Sequence, residues 1–195
     1  MHRSWLIGIL CGATAFSQGD KQEERAYKGP LCLANFCFER FPLASEKELI
    51  ARYGAGLKIG EARCYASSSQ RAYVQFRVEQ ELPGKVVVIL VSDVENCLGK
   101  TKAPPPRTSF PVFSTREGVR LGDTYRKVLR TYGKPTSVRD GTDATFKLIP
   151  LRPEHKISPF GEQALVYDGP SDDLIQAIFY VRKEKIAAIY ISCSE

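Results

Sequence analysis

Apolar and polar positions follow one pattern twice in this chain. Over residues 118–135, GVRLGDTYRKVLRTYGKP, Val119 and Leu121 alternate with polar neighbours as a strand requires, and Asp123 or Thr124 then offers a side-chain oxygen to the free N–H groups of a helix. Tyr125, Val128, Leu129 and Tyr132 fall at i, i+3, i+4 and i+7 and share one stripe, with Arg126, Lys127 and Arg130 off it. The spacing predicts a helix with a core face and a basic face. Gly133 accepts the left-handed backbone past the last turn, and Pro135 bars continuation.

Residues 45–54 repeat this pattern, with Leu49, Ile50, Tyr53 and Gly54 matching Val128, Leu129, Tyr132 and Gly133 in order. Ser45 and Glu48 add a capping box. Each helix is followed by a tyrosine, an apolar strand, a lysine-bearing turn and a second apolar strand. In the first copy these are Tyr65, 73–78, Gly84-Lys85 and 86–91; in the second, Tyr167, 175–181, Lys183-Glu184-Lys185 and 186–191. The expected fold is α+β, in two tandem units, each a short helix packed on its own antiparallel β-sheet. The first repeat covers 29–97 and the second 112–195, with an inserted loop at 136–161 broken by Pro150, Pro153 and Pro159. Between them, 98–111 with its three consecutive prolines reads as a semi-rigid linker.

At the N-terminus a weakly basic head precedes a mostly apolar run at 5–16, and Ala13-Thr14-Ala15 supplies a small-x-small site. This predicts a cleaved secretory signal at 1–19 and a flexible charged lead-in at 20–28. The run is shorter than the roughly 20 residues that span a bilayer. No later apolar run is long enough, since Lys85 and Asp93 bound 86–91. The expected address is secreted or periplasmic, with no transmembrane segment after signal removal.

Cysteine usage refines that picture. Of six cysteines Cys11 falls in the signal, leaving Cys32, Cys37, Cys64, Cys97 and Cys193, an odd set that in a secreted chain favours disulfides with one thiol over. Around an Ala34-Asn35 turn, Leu33 faces Phe36 and Cys32 faces Cys37 where side chains come closest. In a continuous strand those two cysteines lie about 16 Å apart and need other partners. The expected pairs are Cys32–Cys37 and Cys64–Cys97, with other connectivities open. No C-x-x-C spacing occurs and His155 is the one histidine after the signal, so no metal is expected.

Catalytic chemistry has few footholds. A serine or cysteine nucleophile wants a histidine base, and His155 sits in the insertion. There is no G-x-S-x-G, P-loop, dinucleotide glycine motif or H-E-x-x-H, so no catalytic residue and no cofactor is expected. Three aspartates between 168 and 173 follow turn chemistry and not the spacing of an EF-hand loop. The net charge of +6 is more informative, because Arg116, Arg120, Arg126, Lys127, Arg130, Lys134 and Arg139 crowd around the second helix. Such a patch suits an acidic protein, an anionic lipid headgroup or a polyanionic sugar; nucleic acid is not expected outside the cell. The candidate binding residues are Arg126, Lys127 and Arg130, with Tyr65, Tyr73, Tyr167, Tyr180 and Tyr190 expected on an exposed sheet face. The leading function is a non-enzymatic module that binds another extracellular or envelope protein. The other readings are a structural envelope factor and a small secreted enzyme of unrecognised type.

The pattern G-V-x-L-G-D-x-x-x-x-V-L-x-x-Y-G-K-P, with its downstream tyrosine strand and hairpin, resembles the repeat of the β-lactamase inhibitor protein-like fold. It also resembles the small lipoproteins of the outer-membrane barrel-assembly machinery. Gly122, Val128, Leu129, Tyr132, Gly133 and Pro135 carry the resemblance, and all are structural positions. It implies a helix against an antiparallel sheet, twice in tandem in the inhibitor type, and an inhibitor-like or barrel-assembly role. Leu10 stands where a lipoprotein needs a small residue before Cys11, and the families' binding residues have no counterparts placed here.

Overall fold

A computed structural model describes residues 31–33, 36–38, 44–67, 71–78, 84–93, 104–107, 113–141, 160–169 and 174–194. A hairpin of β1 (Leu31–Leu33) and β2 (Phe36–Phe38) comes first. Then follow β3 (Ala44–Ser45), α1 (Glu46–Tyr53), β4 (Leu57–Ile59), β5 (Ala62–Ser67), β6 (Ala72–Val78) and β7 (Lys85–Ser92). The second half supplies α2 (Tyr125–Tyr132), β8 (Ser137–Asp140), β9 (Gln163–Asp168), β10 (Leu174–Arg182) and β11 (Lys185–Ser194).

The local signals placed the helices well. Ser45 Oγ accepts from the Glu48 N–H at 3.1 Å and Glu48 Oε2 accepts from the Ser45 N–H at 3.3 Å, closing the capping box. Gly54 and Gly133 end their helices at φ +87° and +75°, and their N–H groups donate to the Ile50 and Leu129 carbonyls. Leu49 and Tyr53 are the buried positions of α1, and Val128 and Tyr132 those of α2. Thr124 is the N-cap of α2 but makes no side-chain cap bond. The strand expected at Val119 and Leu121 is reduced to an isolated bridge, Ser114 with Arg120.

The expectation of two tandem units with separate sheets is corrected. One antiparallel sheet runs β4-β5-β6-β7-β11-β10-β9-β8, with β3 added beside β7. The last strands of the two halves pair at its centre, Val91 opposite Ile189 and Leu90 opposite Tyr190. The physical reason lies in β7 and β11, KVVVILVS and KIAAIYISCS, whose middles are apolar on both faces. Left at the edge of separate sheets, each would expose an unpaired apolar strand; joining them removes both edges. Leu49 and Tyr53 of α1 accordingly share one core cluster with Val128 and Tyr132 of α2.

Within this single sheet the halves follow the same scheme. Each contributes a helix and then four strands, and the strand order reads inward from both edges alike. The first residue of α1 donates to a turn carbonyl, Glu46 N–H to Gly84, and that of α2 does likewise, Tyr125 N–H to Glu184. Beside these bonds Ser45 pairs with Lys85 and Thr124 with Lys185.

Two expected loops are partly structured. Ser137–Asp140 of the insertion form β8, paired with β9. After β8 the backbone packs tightly: a Cβ on Gly141 would meet the backbone of Gly161, and one on Gly161 the backbone of Val181. In the linker, the Pro104 carbonyl accepts from Ala66 N–H and the Arg107 N–H donates to the Tyr53 carbonyl. That part of the linker is docked onto the first half. The signal and lead-in at 1–28, His155 and Cys97 lie outside the described residues.

Candidate functional site

The two helices occupy corresponding places on the sheet and differ in charge. In α1, EKELIARY, two acids and two bases cancel; in α2, YRKVLRTY, three bases stand with no acid, leaving +3. Arg126 and Arg130 are exposed and, four residues apart, share one outward stripe. Arg116, Arg120, Lys134 and Arg139 are exposed around them.

Lys127 is committed locally. Its Nζ donates to the Gly118 carbonyl at 2.6 Å and pairs with the Asp123 carboxylate at 2.8 Å. Asp123 also accepts from the Arg120 N–H at 2.9 Å, so the loop before α2 is tied to the helix's first turn. Of the three basic residues of α2, Lys127 is thus held by its own loop, while Arg126 and Arg130 point outward. The Tyr125 hydroxyl beside Arg126, followed by the charge of Glu184, raises the Arg126 pKa above its ordinary value.

The tyrosines do not form an exposed face. Tyr65, Tyr167, Tyr180 and Tyr190 are buried, and Tyr73 is half-buried. Tyr65 and Tyr167 lie on the helix side, where Tyr65 Oη donates to the Gly54 carbonyl at 2.7 Å and Tyr167 Oη to the Gly133 carbonyl at 3.0 Å. A Cβ on Gly56 would come within 2.7 Å of the Tyr65 ring, so that glycine lets the ring seat. Tyr180 and Tyr190 belong to the second buried cluster, on the opposite side of the sheet, where Tyr180 packs against Phe160. The missed signal was positional, since each copy carries a tyrosine on the second strand after its helix, as a shared structural bond requires.

Hairpin β1–β2 has the expected register, Leu33 opposite Phe36 and Cys32 opposite Cys37. Cys64 is fully buried and disulfide-bonded. Among those residues no group of three or more His, Cys, Asp or Glu side chains gathers to hold a metal ion. Among them, too, no helix is long and apolar enough to cross a membrane.

No protein-family model, curated protein or solved structure matches this chain.

Proposed function

We propose that this protein is a non-enzymatic binding module of the extracellular space or cell envelope, which engages an acidic surface of another protein through Arg126 and Arg130 on α2. The charge asymmetry between two otherwise equivalent helices carries this reading. Both seat the same stripe in the same core, so that shared packing does not itself call for Arg126 and Arg130.

The placement of Arg126 also works against the helix that bears it. Arg126 stands in the first turn, where a cation opposes the helix dipole, and unlike Lys127 it has no Asp123 carboxylate to answer it. Arg126 and Arg130 also form a like-charge pair at i, i+4.

Cleavage of residues 1–19 and a Cys64–Cys97 bridge belong to this proposal, as an oxidising compartment suits the disulfide at Cys64. So does descent of the two halves from one duplicated unit of the inhibitor-like kind. Crosslinked capture from extracellular and envelope fractions tests the function. A near-stoichiometric protein lost on Arg126→Glu with Arg130→Glu supports it, whereas capture indifferent to both substitutions removes α2 as the binding face.

A further inference from the structure

Resting on that binding reading, we propose that β8 is a docking edge, and that the partner adds to it an extended strand of alternating apolar and acidic residues. The observation behind this is a line of cross-strand neighbours on the helix side of the sheet. Tyr65, Val74, Val91, Ile189, Phe179, Leu165 and Val138 stand opposite one another in turn from β5 to β8. Every member is buried except the last, Val138, which is 57% exposed and is the exposed large hydrophobic residue among those described. An apolar side chain on one further strand would continue the line.

The backbone of Val138 is aimed at such a strand. Gly141 N–H donates to the Glu162 carbonyl, so by the alternation of an antiparallel ladder Arg139 and Ser137 turn their N–H and C=O groups toward β9. Those of Val138 therefore point away from β9. Among the described residues no strand pairs with that outer side.

The opposite edge shows what a guarded version looks like. On β4, Lys58 stands opposite Arg63, two residues before Tyr65; on β8, Val138 stands opposite Leu165, two residues before Tyr167. The corresponding position is thus an exposed lysine on one edge and an exposed valine on the other. Leu57 and Ile59 of β4 also pack against Cys64. Edge lysines are a standard protection against strand addition, and β8 lacks one at this position.

Charge selects the occupant. Arg139 faces the side of the sheet opposite Val138, and the exposed Lys134 and Arg130 lie on the chain leading into β8. A strand that sets apolar residues beside Val138 turns its alternate residues toward Arg139, where carboxylates fit. Main-chain bonds give such a complex its affinity and alternate side chains its specificity.

The test uses a labelled, acetylated and amidated peptide alternating valine and glutamate, with two further versions N-methylated on alternate amides in opposite phase. Fluorescence anisotropy with the full chain is expected to show binding of the parent peptide. One methylated phase should retain that binding and the other lose at least about tenfold. Val138→Lys and Val138→Pro should each weaken the parent peptide by a similar factor; neither removes a bond to β9, and circular dichroism checks the fold. No binding of the parent peptide, or equal effects of the two phases, overturns the docking edge. If Arg126→Glu with Arg130→Glu abolishes capture of the natural partner while Val138→Lys and Val138→Pro leave it intact, the helix-face function stands and strand addition falls.

Discussion

Tyr167 donates its hydroxyl to the carbonyl of Gly133 at 3.0 Å, across 34 residues of chain, fastening the end of α2 to the sheet. Tyr65 does the same for α1 through Gly54 at 2.7 Å. Phenylalanine at either position keeps the ring packing, Tyr65 on Phe76 and Tyr167 on Phe179, and strands the glycine carbonyl. Tyr65→Phe and Tyr167→Phe should each cost about 1–3 kcal/mol in urea unfolding, with little change in far-UV circular dichroism.

Those phenols also set an alkaline limit. Burial pushes Tyr65 up to about 12 and raises Tyr167 further, and it raises Tyr53 and Tyr190 as well. The unfolded value is 10.0, so between the two values the folded state holds protons that the unfolded state has lost. Their contribution is complete below the unfolded value and disappears as pH rises through the folded one. Urea midpoints should therefore fall from pH 10 upward, and less steeply in the Tyr65→Phe, Tyr167→Phe double variant. Parallel slopes in the two proteins would remove the phenols from the account.

The seam between β7 and β11 makes the halves one cooperative unit. Val91 and Ile189 are opposite one another there and fully buried. Ile189→Ala should cost about 2–5 kcal/mol and shift a single unfolding transition without splitting it. Separate transitions of the two halves by hydrogen exchange would contradict the shared core.

Binding and stability should trade against each other on α2. Arg126→Gln removes a cation from the first turn and half of a like-charge pair, so it should leave the fold at least as stable while weakening partner capture. Thermal unfolding alongside capture checks both directions.

Local features were legible in the chain and non-local ones were not. The capping box of Ser45 and Glu48, the buried pairs Leu49/Tyr53 and Val128/Tyr132 and the Cys32/Cys37 register all follow from spacings of a few residues. The joining of β7 to β11 does not, because it pairs positions such as Val91 and Ile189 that are distant in sequence. Its trace was present in two strands apolar on both faces, which suit the middle of a sheet. The tyrosines were misplaced for a related reason, since the acceptors that satisfy Tyr65 and Tyr167 lie 11 and 34 residues away. β8 was hidden because Ser-Val-Arg-Asp has only one apolar residue, and Lys127 counted toward the patch because its bond to Gly118 depends on how the preceding loop folds.

Charge reversal on each helix, compared side by side in crosslinked capture, tests the central claim most directly. Arg126→Glu with Arg130→Glu on α2, and Lys47→Glu with Arg52→Glu on α1, change net charge equally, Lys47 standing where Arg126 does and Arg52 one residue past the counterpart of Arg130. The account predicts loss of the partner with the α2 pair alone. Equal loss with both pairs, or none with either, would show that net charge or another surface governs binding, and would contradict the assignment of α2.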